Sequence, residues 1–130
     1  MRFISYCFGN HYNNIVLFFA TDATHGEELW KTDGTTGGTV LVKDINTTAG
    51  ASSTSVELSA GPGLDISYPL FFGFHLFNNK LYFNATDGIS IGEVWSTDGT
   101  TANTTLLKDI VPTVFDPFDP VIPFILVINR

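Results

Sequence analysis

Val16 to Ile45 reads VLFFATDATHGEELWKTDGTTGGTVLVKDI, and Leu81 to Ile110 reads LYFNATDGISIGEVWSTDGTTANTTLLKDI. The two stretches align without a gap at a constant offset of 65, and sixteen of the thirty positions are identical. The identities run through Phe18/Phe83, Ala20/Ala85, Thr21/Thr86, Asp22/Asp87, Glu28/Glu93, Trp30/Trp95 and Thr32/Thr97. They continue with Asp33/Asp98, Gly34/Gly99, Thr35/Thr100, Thr36/Thr101, Thr39/Thr104, Leu41/Leu106, Lys43/Lys108, Asp44/Asp109 and Ile45/Ile110. The same offset carries Asn13-Asn14 onto Asn78-Asn79. A fixed period of this kind marks a repeat architecture, in which each unit buries its faces against a neighbour.

Turn chemistry divides each copy into strands. In the second copy, an apolar run over Phe71–Phe77 ends at Asn78-Asn79, two residues that tolerate positive φ and suit a tight hairpin. Strands follow over Leu81–Thr86, Glu93–Thr97 and Thr104–Ile110, broken by Asp87-Gly88 and Asp98-Gly99. Four short antiparallel strands in about 40 residues match a β-propeller blade. The expected organisation is a first blade over 1–45, a Ser/Thr/Gly-rich inter-blade loop over 46–70 and a second blade over 71–110. A Pro-rich connector over 111–123 and the first strand of a third repeat over 124–130 complete it. Two blades and a strand do not close a ring of four to eight blades. The expected object is therefore an incomplete propeller, a fragment of a larger one, with apolar strand edges that drive self-association.

The identities also propose a register. With Thr32 opposite Thr39, Trp30 faces Leu41 and Glu28 faces Lys43. In the second copy Thr97 faces Thr104, Trp95 faces Leu106 and Glu93 faces Lys108. Side chains alternate along a strand, so all six lie on one face as a Thr–Thr, Trp–Leu, Glu–Lys column.

Composition narrows the class. Hydrophobic residues make up 44% and charged residues 15%, with 12 Phe, which suits half-buried strands. The formal charge of −7 opposes binding to nucleic acid. The single cysteine, Cys7, allows no internal disulfide. No segment reaches the length of a membrane span, and the N-terminal stretch lacks the apolar core and cleavage site of a signal peptide.

The segments Gly26–Ile45 and Gly92–Ile110, GEELWKTDGTTGGTVLVKDI and GEVWSTDGTTANTTLLKDI, resemble the ELWxxDGT-repeat family. The likeness covers residues 12–45 and 77–110. It departs from the family pattern at Val94, at the shifted Gly92 and at Asn103, which stands where a glycine is expected. Members of that family are large, mostly bacterial, secreted or surface-attached proteins taken to form β-propellers, with no shared catalytic activity. The resemblance implies an extracellular or cell-surface module, structural or ligand-binding. Its partners would be neighbouring blades, further copies of itself, or an extracellular protein or glycan.

Several residues invite a chemical reading beside a structural one. Asp22, Asp33 and Asp44, like Asp87, Asp98 and Asp109, recur every eleven residues. They are candidate Ca²⁺ ligands, since carboxylates bind hard cations. The structural alternative is an Asx-turn at the end of each strand. Trp30 and Trp95 suit either a sugar platform or inter-blade packing. Glu28 and Glu93 suit either a carboxylate pair for glycoside chemistry or structural ion pairs with lysine. The structural reading is favoured in each case, and no enzymatic activity or cofactor is expected. A sialidase is disfavoured, because Arg2 and Arg130 are the only arginines for binding a substrate carboxylate. His11, His25 and His75 form no metal-ligand spacing. Asn46, Asn84 and Asn103 head glycosylation sequons.

Overall fold

The computed structural model describes residues 10–59, 65–69, 73–89 and 92–110. Among them the chain forms strands and no helix. Sheet 1 contains β1 (Asn10–Tyr12), β2 (Ile15–Asp22), β3 (Gly26–Thr32) and β4 (Val40–Lys43), all antiparallel and in chain order. A separate hairpin follows, β5 (Ser55–Ser59) with β6 (Asp65–Pro69). Sheet 2 contains β7 (His75–Phe77), β8 (Lys80–Ala85), β9 (Glu93–Thr97) and β10 (Thr105–Leu106), again antiparallel and in chain order. The segment 46–70 is thus more than a loop, because it carries the β5–β6 ladder. Residues 111–130, which include the expected connector and third-repeat strand, lie outside the described residues, as does Cys7.

Local chemistry sets the first turn of each sheet. Asn13 and Asn14 have φ of 46° and 62°, and Asn78 and Asn79 have 47° and 58°. Two successive positive φ values give the two-residue hairpin whose twist matches the strands, and Asn reaches them at low cost. At the β3–β4 and β9–β10 turns, Gly34 and Gly99 take φ of 92° and 88°. Asp33 and Asp98 fold over those turns, each carboxylate accepting the N–H of the residue two ahead, at 2.9 Å from Thr35 and 3.0 Å from Thr100. Asn103, at the position where copy one has Gly38, donates its Nδ2 to Asp98 Oδ2 at 2.7 Å. A side chain at Gly38 would collide with the Asp33 carboxylate at 1.9 Å. The second copy accommodates the asparagine by bonding it to Asp98, the equivalent acid.

Two rungs of the expected column form as read. Trp30 pairs with Leu41 and Trp95 with Leu106. The Thr32 and Thr39 hydroxyls hydrogen-bond at 2.7 Å, as do those of Thr97 and Thr104. The third rung does not form in sheet 1. The register shifts between Leu29 and Trp30, so Lys43 lies opposite Leu29 and not opposite Glu28. A β-bulge of this kind inserts one extra residue, here Val42, and turns the strand that carries it. In sheet 2 the Leu107 N–H donates to the Val94 carbonyl at 2.9 Å just past β10.

The sheets stack. Alternation along β2 and β3 sends Leu17, Phe19, Leu29 and Lys31 to one face of sheet 1, and the bulge adds Val42 and Lys43. Sheet 2 meets it with Leu81, Phe83, Ala85 and Trp95, and these residues join Leu17, Phe19, Leu29 and Val42 in one buried core. Phe19 stacks on Phe74 at 5.6 Å and meets Phe83 edge-on at 5.7 Å. The Phe83–Trp95 face of sheet 2 corresponds, at an offset of 65, to the Phe18–Trp30 face of sheet 1, which points away from sheet 2. The sheets are therefore packed the same way round, the back of one on the front of the next.

This arrangement buries equivalent residues unequally. Thr97 and Thr104 are both 0% exposed, whereas Thr32 is half-buried and Thr39 exposed. Thr97→Val would strand the Gly99 N–H, which donates to the Thr97 hydroxyl at 3.0 Å in a buried site. A buried unsatisfied donor costs about 1–3 kcal/mol, while the same loss in contact with water costs less than about 1. Urea unfolding should show Thr97→Val destabilised by about 2 kcal/mol and Thr32→Val by under about 1 kcal/mol; equal losses would contradict this packing.

Candidate interaction surface

The contact between the sheets is bridged by hydrogen bonds from both sides and involves several of the repeated residues. Lys43 crosses to sheet 2, where its Nζ donates to the Thr104 carbonyl at 2.9 Å and sits 5.7 Å from the centre of the Trp95 ring. Lys31 Nζ donates to the Gly99 carbonyl at 2.9 Å. Thr101 returns a hydroxyl to the Val42 carbonyl at 2.6 Å. The Tyr12 hydroxyl donates to the Asn79 carbonyl. Ser53, fully buried, links the sheets through backbone: its N–H donates to the Glu27 carbonyl at 3.0 Å, and its carbonyl accepts the Thr86 N–H at 2.8 Å.

Several counterparts of these groups on the opposite faces are less covered. A side chain at Gly99 would meet Ile15 Cδ1 at 2.5 Å, whereas one at Gly34 would meet nothing within 4 Å. Leu107, the counterpart of Val42, is 59% exposed against 3%. Lys108, the counterpart of Lys43, is exposed. Trp95 is 6% exposed and Trp30 is half-buried.

Glu28 and Glu93, read as lysine partners or a carboxylate pair, take a different role. They sit on different sheets and are both buried. Glu28 accepts the backbone N–H groups of Ile45 at 2.8 Å and Asn46 at 3.3 Å. Glu93 accepts the N–H of Ile110 at 3.1 Å. Each glutamate therefore bonds the chain where it leaves the fourth strand. Burial drives the Glu28 pKa up from 4.5 to about 7, overcoming the backbone hydrogen bonds that favour its ionised form; Asp44 adds a smaller push in the same direction.

Asp22, Asp33, Asp87 and Asp98 each bond their own turn. Asp22 accepts the N–H groups of Thr24 and His25 at 2.8 and 2.7 Å and pairs with His25 Nδ1 at 2.6 Å. These bonds, the Thr24 N–H foremost, hold its carboxyl well below the usual range, and the same ion pair raises His25. Asp87 accepts the Ile89 N–H at 2.9 Å. Hydrogen bonds to Thr35 and Thr100 lower Asp33 and Asp98 in the same way. Asp44 Oδ1 is buried without a hydrogen-bond partner, and Asp109 is exposed. Among the described residues no three His, Cys, Asp or Glu side chains converge where a metal ion could be held. No helix among them is long and apolar enough to cross a membrane.

Trp95 packs in the core and Trp30 is half-buried, and the Nε1 atom of each is buried without an acceptor. Burying an indole removes about 150–250 Å² from water, which at about 25 cal/mol/Å² exceeds the roughly 1–3 kcal/mol cost of the lost hydrogen bond. Of the sequon asparagines, Asn46 is buried and donates to the Ser52 carbonyl at 3.1 Å, and Asn84 is half-buried and donates to the Gly92 carbonyl at 3.3 Å. Asn103 is exposed. His11 and His75 are also exposed.

The sequence reading missed Lys31, Val42, Ser53 and Tyr12 as contact residues. Lys31 and Tyr12 have different residues at the equivalent positions, Ser96 and Phe77, so no identity marked them. Comparison with known protein families, curated proteins and solved structures finds no match to this chain.

The raised pKa of Glu28 has a definite sign in stability. Its folded value of about 7 lies above its reference value of 4.5, so folding favours the protonated form. Its contribution is fully present below about pH 4.5, declines as pH rises, and is lost above about pH 7, a change of at most about 3 kcal/mol. Glu28→Gln should flatten that part of the profile in urea unfolding measured from pH 5 to pH 8. His25 is raised chiefly by its hydrogen bond to Asp22, which both chains keep, and Glu28 is the smallest of its causes, so His25 differs little between them. Parallel profiles for the two chains would show that Glu28 is not the group responsible.

Proposed function

We propose that this chain is a non-enzymatic structural or ligand-binding repeat unit of a secreted or cell-surface protein, of the propeller-blade type, and acts as part of a larger stack of such sheets. The observation that carries this reading is the use made of the repeated polar residues. Thr32, Thr39, Thr97, Thr104, Lys43, Glu28 and Glu93 make hydrogen bonds within a sheet, at its exit or to the neighbouring sheet. Residues that recur to hold sheets together supply a scaffold, and function then lies in the loops and outer faces. The likeness to the ELWxxDGT repeats supports the extracellular placement, and the net charge of −7 disfavours a nucleic-acid partner.

Protease shaving of intact source cells should remove the chain from the surface or find it in the medium; full protection inside the cell would overturn the placement. A glycan array and a panel of glycoside substrates probe the chemistry. Turnover lost in both Glu28→Gln and Glu93→Gln would replace the scaffold reading with an enzymatic one. Saturable glycan binding that depends on residues 46–70 would assign the ligand.

A further inference from the structure

Among the described residues the two sheets meet back to front, so the pair presents two unlike faces. One is the front of sheet 1, around Trp30, and the other is the back of sheet 2, around Leu107 and Lys108. We infer that these faces bind each other, so that a second copy of this chain stacks head to tail on the first. The inference rests on reading the chain as a stackable sheet unit and adds the partner and the geometry.

The contact inside the molecule supplies the template. Lys43 of sheet 1 reaches the Thr104 carbonyl and covers Trp95. Shifted by 65 residues, Lys108 reaches the Thr39 carbonyl of the next copy and covers its Trp30. Thr101 donates to the Val42 carbonyl within the molecule; the shifted pair is Thr36 of the next copy donating to the Leu107 carbonyl. The Leu107 N–H bond to the Val94 carbonyl brings sheet 2 to the position where sheet 1 bulges, and Leu107 stands there exposed. Gly34 has the same positive φ as Gly99 and open space above it where Gly99 has Ile15.

Four links do not carry over: Lys80 stands in the place of Ile15 and Asn84 in the place of Phe19, and two polar links are lost as well. Ser96 stands in the place of Lys31 and cannot span to the Gly34 carbonyl. Phe77 stands in the place of Tyr12 and has no hydroxyl. The stacking contact is therefore concentrated along the β4 and β10 edges and is weaker than the intramolecular one. Because the two faces differ, association is heterologous and continues beyond a dimer unless it closes into a ring.

Complementary blocking tests this with the full chain. Leu107→Arg blocks the tail face and Thr36→Arg blocks the head face; both residues are exposed, and circular dichroism verifies that both variants fold. The wild type should sediment as a concentration-dependent series. Each variant alone should weaken association at least about tenfold, the loss expected for one interface anchor. An equimolar mixture should give a 1:1 dimer and nothing larger, since one intact head meets one intact tail. A wild type that stays monomeric overturns the inference and points to the chain's own remaining segments as the cover. Variants that associate like the wild type, or a mixture that remains monomeric, also overturn it. None of these outcomes bears on cell-surface placement or glycan binding, which the shaving and glycan experiments decide separately.

Discussion

The Leu81–Phe83–Trp95 face of sheet 2 lies buried beneath Leu17, Phe19, Leu29 and Val42 of sheet 1, and the rest of the structure depends on that contact. A strand of this chain is apolar on both sides, as Phe18 and Phe19 in adjacent positions of β2 make plain. A sheet built from such strands must be covered twice. One sheet covers one face of the other, and each keeps a second face. Stacking in the same sense is the solution that a repeated sequence favours, because the same side chains then meet the same surface at each step.

Polar groups refine this contact. Lys43, Lys31 and Thr101 reach backbone carbonyls across it, and Ser53 passes a backbone hydrogen bond to each side. Backbone carbonyls at a turn or beside a bulge have no ladder partner, and leaving them dry and unpaired would be costly. Side chains from the neighbouring sheet satisfy them. The same logic explains the buried glutamates, which take up N–H groups at the exit of the fourth strand. Desolvation of Glu28 outweighs these bonds and keeps its carboxyl protonated well above the usual carboxylate range.

Much of the fold was legible because its causes are local. Asn13-Asn14 and Asn78-Asn79 require positive φ, and the hairpins follow. Asp33-Gly34 and Asp98-Gly99 close the third turn, and the Thr–Thr and Trp–Leu rungs then fall into register. The Glu28–Lys43 rung failed because one extra residue, Val42, shifts every pairing beyond it, and nothing in a count of residues reveals a bulge. The β5–β6 hairpin was hidden by the Ser, Thr, Gly and Pro around it, although Val56 and Leu58 stand opposite Tyr68 and Ile66 in its register.

The sequence alone determined that the chain is built of antiparallel strands, where its Asn and Asp-Gly turns lie, and which residues recur in them. Turn dihedrals and strand alternation depend on neighbours within a few positions, so a linear reading reaches them. Which of two apolar faces is buried was decided only by the tertiary structure. Trp30 and Trp95 are the same residue in the same local frame, yet one is covered by a neighbouring sheet and a lysine and the other is half-buried. That difference arises from contacts 60 or more residues apart in the chain, such as Lys43 with Thr104 and Lys31 with Gly99.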